Sequence, residues 1–228
     1  MPVDAVLFSE MTPQPEWEAR FNRWYDEEHI PLRMRVPGFI GAQRYMNTEA
    51  GRGYLAIYDM TAPDVLVSEA YRAVKDNPSD ETAWMLRSVG GFTRYIGALN
   101  GWQTRPDVDE ARLLAAPYAY SVMFTVPSAR EVEFNDWYAS EHVPLLLGNA
   151  DWLGCRRYRI VDGGPEAHTH LAIHHLNDLA ALEGPQRAQA RATQWRDRLA
   201  REPWFKGRYA TFRKVGGRFS GLATPGAS

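Results

Sequence analysis

The feature that most constrains this 228-residue chain is an internal repeat. The segment Phe21-Asn22-Arg23-Trp24-Tyr25-Asp26-Glu27-Glu28-His29-Ile30-Pro31-Leu32 recurs as Phe134-Asn135-Asp136-Trp137-Tyr138-Ala139-Ser140-Glu141-His142-Val143-Pro144-Leu145, at an offset of 113. The register holds to Arg44-Tyr45 against Arg157-Tyr158, and 11 of those 25 positions are identical. Residue usage alone would give about one or two identities. Further on, Tyr54 to Asp59 aligns with His170 to His175 at offset 116, and Thr93-Arg94-Tyr95 with Gly207-Arg208-Tyr209 at 114. The duplication divides the chain into halves 1–102 and 117–215. A linker over 103–116 holds Pro106 and the charged run Asp107 to Arg112, and a Gly/Ala/Ser/Thr-rich tail over 216–228 reads as flexible.

Each half reads in the same order. A short apolar run (Val3 to Phe8; Tyr118 to Val126) precedes an amphipathic helix. In the first helix Trp17, Phe21, Trp24 and Glu28 recur at i, i+4, i+7 and i+11, with Tyr25 and His29 on the adjoining stripe. Pro31 and Pro144 are expected to end these helices, because proline disfavours helical geometry in the residue before it. A strand around Gly41 to Met46 (Gly154 to Ile160) follows, then a Gly-rich turn at Gly51-Arg52-Gly53 (Gly163-Gly164-Pro165) and a third strand at Tyr54 to Met60 (His168 to Leu176). A split helical region and a last strand at Phe92 to Leu99 (Arg208 to Val215) complete a β-α-β-β-α-β unit, the ferredoxin-like split βαβ arrangement. One such unit covers a single sheet face with helices, so two fused copies are expected to cover each other's open faces and enclose a cavity between the sheets.

The signature Trp-Tyr-x-x-Glu-His-x-Pro, at Trp24 to Pro31 and again at Trp137 to Pro144, resembles the dimeric α+β-barrel superfamily and in particular its EthD-like branch. The resemblance covers both halves. It implies an α+β fold of two ferredoxin-like repeats forming an intramolecular dimeric α+β barrel. Cofactor-independent monooxygenases, polyketide cyclases, muconolactone-type isomerases and haem enzymes share that superfamily, so the fold alone does not fix an activity. In the second half Pro37-Gly38 is replaced by Ala150-Asp151.

Histidines and aromatics are the candidate site residues. On a strand, His168, His170, Ala172 and His174 share one face, and Leu171 and Ile173 the other. With Leu171 and Ile173 facing the helices, His170 and His174 would face the inter-sheet cavity, matched by Tyr54 and Tyr58 in the first half. Histidine and tyrosine in a cavity suit proton transfer near neutral pH. His29 and His142 are further catalytic candidates, though a helix C-terminal histidine also serves as a cap or dipole partner. Glu28 and Glu141, about 100° round the helix from them, are expected to hold a loop or neighbouring strand. Tyr25, Tyr138, Trp24 and Trp137 are candidate substrate-binding residues.

Composition narrows the function. The net charge of −2 provides no general polyanion-binding field. The single cysteine, Cys155, excludes an internal disulfide and fits a reducing compartment. No apolar run approaches the roughly 18 residues of a membrane span, so a cytoplasmic protein is expected. Two histidines at i and i+4 on a strand are about 13 Å apart, too far to share one ion. There is no Gly-rich phosphate loop and no Gly-x-Ser-x-Gly elbow. The expected function is a small-molecule enzyme, with no cofactor and no metal, that uses His/Tyr acid–base chemistry on an apolar aromatic or polyketide-like substrate. Isomerase, lyase or cyclase chemistry comes first, with a cofactor-free monooxygenase or a non-catalytic binding or stress-response protein as alternatives. Expected partners are a small molecule and a second copy of the chain, with no nucleic acid and no membrane.

Overall fold

A computed structural model describes residues 2–49 and 53–221, so the Gly51-Arg52 part of the expected turn and residues 222–228 of the expected tail lie outside the described residues. The chain divides into two compact units. The first comprises described residues within 1–98, 161–165 and 215–228, and the second 99–160 and 166–214. The first unit carries β1 (Ala5–Thr12), α1 (Glu18–Trp24), α2 (Ile30–Met34), β2 (Phe39–Asn47), β3 (Tyr54–Met60), α3 (Glu69–Lys75), α4 (Asp80–Ser88) and the start of β4 (Gly90–Thr104). The second carries α5 (Glu110–Leu114), β5 (Tyr118–Phe124), α6 (Glu131–Trp137), α7 (Val143–Leu146), most of β6 (Trp152–Gly164), β7 (His170–Leu176), α8 (Pro185–Arg191), α9 (Gln194–Ala200) and the start of β8 (Arg208–Ser220).

Strands β4-β1-β3-β2 are hydrogen-bonded neighbours in the first unit, as are β8-β5-β7-β6 in the second. β2 also lies next to β8 and β6 next to β4, in a mixed α+β fold. Three strands outrun their expected lengths: β4, β6 and β8 each begin in one unit and end in the other. Residues 216–220, expected as flexible tail, therefore belong to β8. The stretch 103–116, expected as a bare linker, carries the end of β4 and then α5, whose N-cap Asp109 accepts from Arg112 N. Val108, Leu113 and Ala116 bury there against Leu153, which is enough apolar contact to order the segment.

Neither proline ends its helix. After α1 the backbone widens into a π turn over Tyr25–His29, where Ile30 N donates to Tyr25 O, and α2 continues with Pro31 in its first turn. The same π turn recurs at Tyr138–His142 before Pro144. A proline ring clashes with the carbonyl four residues back and donates no hydrogen bond. The wider turn accommodates both defects without interrupting the helix.

The loop after α2 reaches β2 through Gly38, whose φ of 97° lies in the left-handed region. A Cβ at Gly38 would stand 2.4 Å from Val65 Cγ2. Asp151, at the matching place, has no positive φ, yet both loops close alike: Thr61 N donates to Gly38 O, and Asn177 N to Asp151 O. Gly38→Ala should lower stability by about 1–3 kcal/mol in urea unfolding, from strain and overlap together. Gly90→Ala, whose Cβ would meet only an ordinary contact at 3.7 Å, should change it by less than about 1 kcal/mol.

Candidate functional site

Antiparallel pairing fixes which side chains meet the helices. In the first unit Tyr54, Ala56 and Tyr58 of β3 join Leu7 of β1 and Phe21, Trp24 and Tyr25 in one core cluster. In the second, Tyr120, Val122 and Ala172 join Phe134, Trp137 and Tyr138. His170 and His174 share the face of Ala172, so they point to the helix layer. The expectation that Leu171 and Ile173 face the helices is therefore inverted. Alternation separates two faces but does not say which one the helices cover.

That inversion gives His174 a structural role. The Trp152 indole Nε1 donates to Nδ1 at 3.0 Å, which leaves Nε2 to carry the ring hydrogen in the neutral tautomer, 2.9 Å from the Tyr138 hydroxyl. Burial, with His142 and nearby arginines, holds its pKa well below the usual value. His170 packs edge-on to Phe134, 5.1 Å between centroids, and its Nδ1 is 2.9 Å from Thr169 Oγ1. The space beside it is only about 10 Å³. His142 lies against Trp137 at 4.5 Å, and burial pushes it down to about 4 despite the Ala190 carbonyl at 3.4 Å. Tyr138 and Trp137 are thus packing partners of histidines. Tyr54 is similarly committed, donating to Glu18 at 2.7 Å and accepting from Asn22.

The first unit is different. Between its sheet and helices lies a cavity of about 360 Å³ lined by Leu7, Ser9, Met11, Tyr25, His29, Arg33, Tyr58, Tyr71, Lys75, Leu86, Phe92 and Arg94. Tyr25, His29 and Tyr58 are buried, whereas Leu86 and Phe92 are exposed by 43% and 47%, so the former set makes the floor and the latter the rim. His29 sits 4.2 Å from the Trp24 ring and 4.9 Å from Tyr25, and its Nδ1 is buried without a hydrogen-bond partner. Burial first, then the charges of Arg33 and Arg44, hold its pKa well below the usual value, so it is neutral at pH 7. Tyr58 Oη is buried without a well-formed hydrogen bond, and burial raises it well above an ordinary phenol. Arg33 Nη1 donates to His29 O at 3.1 Å, while its Nε is buried and unpartnered. The side chains of a neutral histidine, a phenol and a guanidinium thus line one space. His29 is not a helix-end cap, since the helix runs on past it.

Strand register explains why one unit is open and the other filled. Leu7 pairs with Tyr58 as Tyr120 pairs with His174, and Ser9 pairs with Arg94 as Val122 pairs with Tyr209. Tyr120 and Tyr209 therefore stand where the first unit has Leu7 and Arg94, and their rings stack at 6.2 Å. Arg94 matches Tyr209 at offset 115, a correction of one residue to the sequence alignment. Arg33, Tyr71, Lys75 and Arg94 were not among the sequence candidates. A signal for Arg33 existed, because it follows Tyr25 and His29 at successive fours, but reading Pro31 as a helix end hid it.

The repeated glutamates hold helix starts, not a loop or strand. Glu28 accepts from Thr82 Oγ1 at 2.6 Å and from Ser79, the N-cap of α4. Glu141 accepts at 2.6 Å from Thr193, the N-cap of α9. Trp24 Nε1 donates to the same Thr82. Cys155 is buried and pushed up to about 12, unsuited to thiolate chemistry. Among the described residues no cluster of three or more His, Cys, Asp or Glu is placed to hold a metal ion. Among them too, no helix is long and apolar enough to cross a membrane.

By sequence, the chain matches no family model and no curated protein. By structure it is similar to an anthrone oxidase-like protein at a TM-score of 0.69 and 12% identity, covering 100% of this chain and 97% of that one. A candidate monooxygenase from Fusobacterium nucleatum subsp. nucleatum ATCC 25586 matches at 0.61 and 9% identity, covering 97% and 98%. A candidate chlorite dismutase matches at 0.60 and 15%, covering 93% and 95%. At 9–15% identity these likenesses show that the chain shares the fold of those proteins.

Two outcomes test the division of roles. His174→Ala should cost about 2–4 kcal/mol in chemical denaturation, because it leaves the Trp152 indole and Tyr138 hydroxyl unpaired in the core. His142 binds a proton more weakly folded than unfolded, so its contribution is intact above about pH 6.5 and is lost as pH falls towards 4. That loss is at most ~3 kcal/mol. Melting temperature followed from pH 7 to 4 should fall less steeply in His142→Asn than in the wild type.

Proposed function

We propose that the cavity of the first unit is the active site of a small-molecule enzyme that needs no dissociable cofactor, an oxygenase acting on an apolar aromatic or polyketide-like compound. The carrying observation is His29, a buried neutral imidazole with an unpartnered nitrogen beside Arg33 and Tyr58 in a space of about 360 Å³. That volume falls within the usual range for small-ligand pockets. In the proposed step the imidazole takes a proton from a phenol or from a carbon next to a carbonyl. Charge gathers on the substrate oxygen, where the free donors of Arg33 and the Tyr58 hydroxyl meet it. The imidazolium forms only as that oxygen turns negative, so the new ion pair offsets the burial that keeps the free histidine neutral.

An electron-rich anion of this kind can reduce dioxygen directly. Where a methylene becomes a carbonyl, the carbon loses two hydrogens and gains one oxygen atom, and the second oxygen leaves as water. The names of the structural relatives favour oxygen chemistry, by analogy of fold. The same proton transfer without oxygen would serve an isomerase, lyase or cyclase. We also read the two units as fused copies of one EthD-like unit, supported by the repeated signature and the shared element order.

The test is oxygen uptake with anthrone and hydroxynaphthalenes as probes, repeated under nitrogen for product formation. Oxygen-dependent turnover is expected, with kcat lowered about 100- to 10,000-fold in His29→Phe, which keeps a ring in place but no base. Because His29 stays neutral well below pH 6.5, kcat/KM should show no loss from this group between pH 8 and 6.5. Turnover under nitrogen would favour the isomerase, lyase or cyclase reading. Tight binding with no turnover in either atmosphere would overturn the enzyme reading in favour of a ligand-binding module.

A further inference from the structure

We infer that the ligand of this cavity is an organic anion, an aromatic body whose carboxylate docks at the rim on Arg94 and Lys75. The inference rests on reading the cavity as the active site and adds the charge of its substrate. Three cations, Arg33, Lys75 and Arg94, line the cavity and no Asp or Glu does, in a chain whose net charge is −2. The local field is thus opposite in sign to the chain average, as a steering site for anions requires.

The rim cations also have unused capacity. Among the described residues Arg94 reaches only Asp162, at 3.4 Å, and that carboxylate side chain is 69% exposed. A well-made charge-assisted contact is about 2.7–2.9 Å, so Arg94 is weakly neutralised. Lys75 is exposed and makes no ion pair among the described residues. Elsewhere in the chain, Arg44, Arg130 and Arg218 hold carboxylates at 2.8, 2.6 and 2.5 Å. Beside Arg94 and Lys75 the rim carries the exposed Leu86 and Phe92, so apolar surface and positive charge meet at one opening. That pairing matches an amphipathic acid whose ring enters past Leu86 and Phe92 and whose acid group stays at the rim. Its phenol or enolisable carbonyl then reaches the floor, where His29 and Arg33 lie. Tyr209 in place of Arg94 removes this arrangement from the second unit.

The experiment is isothermal titration of the full chain with 2-naphthol and with 6-hydroxy-2-naphthoate. The carboxylate should bind at least about tenfold tighter at low salt, with the advantage shrinking in concentrated salt as screening removes it. In the Arg94→Gln/Lys75→Gln double variant, shown by thermal melting to be folded, the ratio of the two affinities should fall towards one. Equal binding of the probes by the wild type would overturn the inference, as would a preference that survives the double substitution. Failure of both probes to bind would remove it together with the cavity's role as a ligand site. A carboxylate preference without any turnover would leave it standing and sink only the enzyme reading.

Discussion

A proline inside a helix cannot donate to the carbonyl behind it and pushes that carbonyl aside. This chain meets the constraint twice by widening the preceding turn, and much of the first unit follows from that solution. The π turn over Tyr25–His29 lets α1 run on into α2, which brings Tyr25, His29 and Arg33 to one cavity. Had the helix stopped before Pro31, Arg33 would sit in a loop and His29 would be an exposed cap. The same device at Tyr138–His142 serves packing, because the strand side chains facing it, Tyr120 and Tyr209, are bulkier or more rigid than Leu7 and Arg94.

The repeated signature is therefore chiefly architectural. Its tryptophan packs against the histidine ring in both units, and its glutamate holds the N-cap of the second helix. Its histidine is buried in the first unit and half-buried in the second. What differs is the surroundings. In the second unit Trp152 and Tyr138 engage His174, while Tyr120 and Tyr209 take up the volume; in the first, Leu7 and Arg94 leave it open. Space is open where Leu7 and Arg94 stand in place of the aromatic rings of Tyr120 and Tyr209, with the motif itself the same in both units.

Burial does double work in the open cavity. It keeps His29 neutral and Tyr58 protonated, so both are in the state that proton transfer requires at neutral pH. It also raises the value of each unpaired donor, because a charge forming in a low-dielectric space gains more from a guanidinium than it would in water. The neighbouring Arg44 is spent differently. It lies under the rings of Phe21, Tyr25 and Tyr54 and pairs with Asp26, which fixes the helix against the sheet.

The sequence by itself determined the order of the elements and the residues of the aromatic helix face. Those follow from a duplicated signature and from short-range periodicity, which depend only on neighbours along the chain. It also brought His29, Tyr25 and Tyr58 forward as site candidates. Only the tertiary structure decided which face of β7 meets the helices, and so turned His170 and His174 from cavity residues into core residues. Alternation carries no sign, and the sign is set by what packs against the strand. The tertiary structure also added Arg33, Lys75 and Arg94, which come from two helices and a strand far apart in sequence. Whether a given histidine is a base or a packed ring rests on the volume of side chains a strand away, such as Leu7 against Tyr120. No local pattern encodes that difference, because it is a property of the space the side chains leave between them.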